Sequence, residues 1–214
     1  LILQPVLIDT AHMDDTIFLA NLGWRGMNGL SPVVDFAHFY GGVTTQFVTW
    51  AFQLFGVSYH AINYAFAMMF VASVAVLWTL GWQRLPASAL ALLTALAAAL
   101  QISLAPIEYG RIIKPIFAHT FVYNHAAIVL MLSLTMFALI KAKSDKVEIV
   151  TSLFSGVMLY ILALLKPTFI VFAPCVILAC LVQARWLSAG LAAIGMGAGI
   201  LIVDSDMSRF FGSM

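Results

Sequence analysis

Charge is what this chain has least of: 9% of its 214 residues are Asp, Glu, Lys or Arg, against 63% hydrophobic residues. An ordinary soluble domain carries roughly a quarter charged residues, so this composition excludes one and makes lipid the expected solvent. Cysteine is nearly absent too. Cys175 and Cys180 both fall in an apolar run, which leaves no disulfide framework and little to say about redox compartment. The formal net charge of +1 lacks the basic excess of a nucleic-acid-binding surface, so nucleic acid is not an expected partner. A charged n-region and a cleavage site are also missing, which excludes a recognisable signal peptide.

What is present is a succession of apolar stretches, at about Tyr59–Trp82, Ala87–Ile107, Asn124–Ile140, Val147–Leu165, Thr168–Ala184 and Leu187–Val203. Each approaches the roughly 20 residues that a helix needs to cross the hydrocarbon. None has the strict alternation of barrel strands, so the expected fold is an all-α, polytopic transmembrane helix bundle. Leu1–Ile8 is too short to cross and is expected to be the end of a truncated first span, in a chain read as a piece of a longer protein. The organisation that follows is 1–8 as that end, 9–57 as an extracytoplasmic loop, 58–204 as a six-span bundle and 205–214 as the start of an extracytoplasmic segment.

Six spans assign the connections to two sides. The first side has only Gly81–Pro86, Lys141–Lys146 and Gln183–Trp186, while the second receives the long segment Asp9–Val57, the loop Glu108–Tyr123, the Lys166-Pro167 corner and the tail from Asp204. Basic residues divide evenly between the sides. Because Arg84, Lys141, Lys143, Lys146 and Arg185 occupy very short connections, where the positive-inside rule applies best, the first side is expected to be cytoplasmic. All five histidines and seven of the nine acids belong to the second side or its boundary, and ionisable residues concentrated on loops point to function there. Within the long segment, Val43, Phe47, Trp50, Ala51, Leu54 and Phe55 share one helical face and Thr44, Thr45, Gln46, Thr49 and Gln53 lie elsewhere. This pattern fits a helix lying in the membrane interface or packed on the top of the bundle, with Gly56 as its C-terminal cap.

Asp14 and Asp15 form an adjacent acidic pair where the first span should surface. Such a pair serves either as helix-start residues or as a proton acceptor held ready by its neighbour. Lys166, between two apolar runs and before Pro167, either snorkels to the interface or meets an anion. Gly195 and Gly199 are spaced for close helix packing.

Taken in order, Asp14-Asp15, Ala20, Trp24-Arg25, Gly29-x-x-Pro32, Asp35, Tyr40-Gly41 and Leu54-Phe55-Gly56 resemble the first external loop of GT-C glycosyltransferases. The likeness is to the protein O-mannosyltransferase and aminoarabinose-transferase type. Tyr123-Asn124-His125, opening a span, is similar to a Tyr-Asn-Arg pattern of bacterial members, and Leu164-Leu165-Lys166-Pro167-Thr168-Phe169 to their Lys-containing corner. The family commonly has Asp-Glu where Asp14-Asp15 stands and Arg where His125 stands.

The resemblance implies an inverting membrane glycosyltransferase that takes a sugar from a polyprenyl-phosphate donor. The acceptor would be a lipid, glycan or protein on the outward face of a bacterial cytoplasmic membrane. It makes Asp14 the catalytic base, with Asp15 as its electrostatic partner or a metal ligand. Lys166, Arg111, Lys114 and Arg209 become candidate phosphate contacts, and Tyr123, Asn124, His125, Asp35 and His38 further substrate-binding candidates. A departing lipid phosphate needs positive partners more than an acid, so one base and several cations suffice. No ligand spacing supports a protein-bound metal, although His119, His125 and Glu108 with either aspartate offer donors to a divalent ion. The expected partners are membrane lipid, the lipid-linked donor, an acceptor and a protein complex. Two other readings stay open: a non-catalytic accessory subunit of the same fold, and a transporter or flippase, which the scarcity of ionisable residues near mid-span disfavours.

Overall fold

The computed structural model describes residues 13–30, 42–102, 105–109, 112–116 and 119–203, with side chains for 17–30, 42–100, 124–166 and 168–201. Eight α-helices lie among them: α1 (Met13–Met27), α2 (Gly42–Phe55), α3 (Tyr59–Gly81), α4 (Ala87–Ile102), α5 (His119–Leu139), α6 (Asp145–Leu165), α7 (Phe172–Val182) and α8 (Trp186–Val203). The all-α expectation holds, with one addition outside the helices. Between α4 and α5, strands β1 (Ala105–Tyr109) and β2 (Ile112–Ile116) pair antiparallel, with Pro106 opposite Pro115 and Ile107 opposite Lys114. The Ala87–Ile107 stretch is therefore not one span. Helix α4 ends at Ile102, and Ala105–Tyr109 then pairs with the isoleucine-rich β2, where proline is tolerated because this two-stranded ribbon has no interior strand.

By length and composition, α3 and α6 are long and apolar enough to cross a membrane. The other four expected spans supply shorter apolar stretches, Ala87–Leu100, Asn124–Leu139, Thr168–Val182 and Trp186–Leu201. Part of the shortening is visible after Lys166, where Pro167–Val171 winds as a 3-10 turn before α7 begins.

Local chemistry sets the helix ends. The Ser58 side chain accepts from the Ala61 N–H at 3.2 Å and starts α3. Gly56 closes α2 with φ +78° and its N–H bonded to Phe52 O, as expected of a residue that adopts the left-handed conformation without penalty.

Packing relies on small residues. Helices α6 and α8 run parallel, and a Cβ placed on Gly156 would come within 2.0 Å of Ala192 O, one on Gly195 within 2.1 Å of Leu153 O. Backbone meets backbone at this seam, which brings many atoms into dispersion contact. Gly199 continues the seam against the Tyr160 ring, so the Gly195–Gly199 spacing is used for packing. Helix α1 closes on α2 by the same means, through Gly23 against Val48 and Phe52 and Gly26 against Thr49.

Some hydroxyls lie within the apolar core, and many large apolar side chains face outward. Ser73, Ser133, Ser152 and Ser155 are buried, and each hydroxyl donates to the carbonyl four residues earlier at 2.6–2.9 Å, which satisfies it without water. Val71, Leu92, Leu96, Val150, Leu178, Val182 and Leu201, by contrast, are exposed.

Overfilling the α6–α8 seam is expected to cost about 1–3 kcal/mol, so Gly156→Ala or Gly195→Ala lowers the thermal midpoint of the purified protein. Gly190, where an added Cβ would meet nothing within 4 Å, serves as control: Gly190→Ala leaves stability unchanged or raises it by up to about 1 kcal/mol.

Candidate functional site

The most elaborate polar arrangement among the described residues sits where the three short connections meet. Glu148 lies in the first turn of α6. Its Oε2 accepts from Arg84 Nη2 at 2.6 Å and from the Ala142 N–H at 2.9 Å. Oε1 accepts from Arg185 Nε at 3.1 Å, from Arg185 Nη2 and from Ser188 Oγ at 2.7 Å. Arg84 belongs to the α3–α4 connection, Ala142 to α5–α6 and Arg185 to α7–α8, so one carboxylate ties all three. The side chains of Arg84, Glu148 and Arg185 are 0%, 7% and 8% exposed.

Two cations against one anion would leave a buried positive charge. Helix ends offset it. Arg84 Nη1 donates to Leu80 O and Nε to Ile140 O, both at 2.8 Å, and Arg185 Nη1 donates to Phe137 O at 2.9 Å and Ala138 O at 2.7 Å. These carbonyls lie at the C-terminal ends of α3 and α5, where the helix dipole is negative. The two guanidinium carbons also stand 5.1 and 5.2 Å from the centre of the Phe137 ring, a cation–π contribution in a desolvated place. Burial pulls the Arg84 guanidinium below its ordinary value, and the Glu148 carboxylate opposes that shift.

A backbone detail aims Arg185. Helix α7 ends with Ala184 N–H on Leu181 O and Arg185 N–H on Cys180 O, both 2.9 Å, and Ala184 takes φ 56°. This is a Schellman closure with alanine where glycine is usual. With alanine at that position, nothing in the sequence signals the turn.

Each charged nitrogen and oxygen of the network has a partner within the protein, so the network holds the fold together. The candidate binding end is the other one, at the start of α5 and the end of α6. Lys166 caps α6 with its N–H on Leu162 O at 3.3 Å and an extended backbone, which Pro167 requires of the residue before it. Asn124 and His125 lie in the second turn of α5, and the His125 Nδ1 is enclosed with no hydrogen-bond partner among the described residues. Because α5 runs away from this end and α6 runs toward it, the Tyr123-Asn124-His125 start and Lys166 share it.

Of the other expected site residues, Asp14 and Asp15 occupy the first turn of α1, in a helix that packs along α2 and touches α3 and α5. Lys114 is on β2 opposite Ile107, and Tyr123 is in α5. The side chains of Asp14, Asp15, Lys114 and Tyr123 lie outside the described residues, as do Asp35, His38, Arg111 and Arg209 altogether. His119 and Glu108 are placed by backbone alone, in α5 and β1. Among the described residues, no three His, Cys, Asp or Glu side chains group as a metal site. No family model, curated protein or solved structure matches the chain.

Removing one member of a buried charge network leaves the rest uncompensated, at a cost of about 3–5 kcal/mol. Glu148→Ala is therefore expected to lower the unfolding midpoint more than Asp145→Ala, whose partner Lys141 is 58% exposed. At Ala184, relief of a left-handed alanine is expected to make Ala184→Gly more stable by about 1 kcal/mol; equal midpoints in thermal unfolding would contradict it.

Proposed function

We propose that the chain is part of a multi-pass membrane protein that acts as a GT-C-type glycosyltransferase, moving a sugar from a polyprenyl-phosphate donor to an acceptor at the outward face. The observation that carries the membrane part of this reading is the apolar exterior of the bundle. Hydroxyls and a charge network are inside, and large apolar side chains such as Val71, Leu178 and Leu201 are outside. The solvent that favours this arrangement is hydrocarbon. Helices α4, α5, α7 and α8 would then cross together with α3 and α6, their shorter apolar stretches extended by the interfacial residues at each end.

The transferase part is supported by the resemblance of the polar anchors and by the asymmetry of the two ends. The end with the short connections has its buried charges, Arg84, Glu148 and Arg185, paired with one another. The opposite end holds Lys166, His125 and the elements α1, α2, β1 and β2. In the proposed reaction the Asp14 carboxylate takes the proton of an acceptor hydroxyl. The freed oxygen forms a bond to the anomeric carbon from the side opposite the phosphate, and the bond from that carbon to the phosphate oxygen breaks. Polyprenyl phosphate leaves with the electron pair, and Lys166 neutralises its charge. Inversion follows from a single displacement. Arg111, Lys114 and Arg209 are the further cations available to the phosphate, and Asp15 keeps the Asp14 carboxylate basic by like-charge repulsion.

A base of this kind contributes about 10²–10⁴-fold, so Asp14→Asn in the full-length protein is expected to slow sugar transfer from a radiolabelled polyprenyl-phosphate sugar by that factor. Lys166→Met is expected to raise KM for the donor with a smaller effect on kcat. Transfer at the wild-type rate by Asp14→Asn sinks the mechanism.

A further inference from the structure

Helix α2 turns its threonines toward the protein and three large apolar side chains outward. Its inward side carries Thr44, Thr45 and Thr49, 0%, 1% and 4% exposed, with Val48, Ala51 and Phe52. Outward stand Trp50, Leu54 and Phe55, at 43%, 67% and 54% exposure, with the uncharged amides Gln46 and Gln53 beside them. The helix contains no Asp, Glu, Lys or Arg. A helix lying between protein core and water would turn its threonines out and its tryptophan, leucine and phenylalanine in.

The inward side is built to stay inward. The Thr49 hydroxyl donates to Thr45 O at 2.9 Å within its own helix, and it stands where a Cβ on Gly26 would be, 2.2 Å away. Only a glycine on α1 lets the threonine side close. Rolling α2 to bury the outer row would pull this contact apart.

Nor does the outer row end with the helix. The Phe55 ring packs on Tyr64, with centroids 4.8 Å apart, and Tyr64 lies in the second turn of α3, a helix long and apolar enough to cross a membrane. Only Gly56, Val57 and Ser58 separate the two helices, and Val57 is 55% exposed. The apolar surface of α2 is thus continuous with the flank of a candidate span.

We propose that α2 lies along one leaflet with its Trp50–Leu54–Phe55 row seated at the boundary between headgroups and acyl chains, so that lipid is what covers it. The proposal rests on the membrane reading above. Continuity with the α3 flank favours lipid over a protein partner, because any surface that wraps that flank reaches the row without a break. Tryptophan is suited to this depth, having an apolar ring and one polar N–H, and an uncharged helix is held there by apolar area rather than by anionic lipid. Seated so, the α1–α2 pair stands at the level where a lipid-linked phosphate presents its headgroup.

The test is tryptophan fluorescence of the whole chain in phosphatidylcholine vesicles, with one tryptophan kept at a time and the others changed to Phe. Two reporters are used: Trp50, and Val71→Trp, at an exposed position in α3 (66%). Phosphatidylcholine brominated near the headgroup is expected to quench Trp50 most. Lipid brominated near the chain end is expected to quench the α3 reporter most, with aqueous acrylamide reaching neither well. Quenching of Trp50 by acrylamide but not by bromine, while the α3 reporter is quenched by bromine, overturns the proposal and leaves the membrane reading standing. Protection of Trp50 from both quenchers overturns it too, in favour of a protein cover, and a dilution-dependent loss of that protection identifies a second copy. If neither reporter is quenched by bromine, the membrane reading fails and takes the proposal with it. Should the stripped variants not fold, the difference between wild type and Trp50→Phe carries the same information.

Discussion

One carboxylate between two guanidinium groups is the constraint on which the helical arrangement depends. Glu148 accepts from Arg84, Arg185, Ser188 and the Ala142 backbone, so the ends of α3, α5 and α7 and the starts of α6 and α8 are held at one level. Burying such charges is expensive, and the cost is met only when geometry is good and every remaining hydrogen is satisfied. Here the surplus positive charge is taken up by carbonyls at the ends of α3 and α5. The network therefore requires those helices to end where they do. A shift of α5 by one turn would remove Phe137 O, Ala138 O and Ile140 O from the guanidinium groups together.

Given that level, the rest of the packing follows from a shortage of hydrophobic drive. If the exterior is hydrocarbon, as proposed, burying another leucine gains little over leaving it in lipid, and close backbone approach becomes the main source of cohesion. The α6–α8 seam uses Gly156, Gly195 and Gly199 in this way, and the α1–α2 contact uses Gly23 and Gly26. Starting from Glu148 and Ser188, the parallel helices α6 and α8 keep a near-constant offset down to Tyr160 and Gly199. The charge network sets the register and the glycines maintain it.

Much of this is legible in the sequence, and the remainder is hidden for identifiable reasons. Apolar runs locate α3 to α8, of which α3 and α6 are long and apolar enough to cross a membrane, and Gly56 and the Gly195–Gly199 spacing do what their positions suggest. The hairpin escapes notice because Ala105–Ile116 is apolar enough at its start to extend a helix, and only the Pro106–Pro115 pairing, a long-range relation, reveals it. On α2 the period groups Val43, Phe47, Trp50, Ala51, Leu54 and Phe55, of which Trp50, Leu54 and Phe55 are exposed, Ala51 is buried and Val43 and Phe47 pack against the core. No sequence period could say that the threonines face the protein, because that depends on the glycines of α1. Glu148 is the largest omission. Its partners are 37 and 64 residues away, and a lone acid in the first turn of a helix looks like ordinary dipole compensation. The available clue is arithmetic: an acid at the edge of an apolar stretch, with arginines at the edges of two others.

The two ends of the bundle divide the work, and this bears on the choice between a transferase and a transporter. Alternating access requires each end to open in turn. Opening the end with short connections would separate Glu148 from at least one arginine and strand charges that are less than a tenth exposed. Nothing in the network provides a second set of partners: both carboxylate oxygens and both guanidinium groups are already committed to atoms that would move apart. A transferase has no such requirement, because its donor and acceptor can both arrive from one face. A charge-locked end and an elaborated end bearing Lys166 and His125 thus fit the proposed transferase better than a transporter.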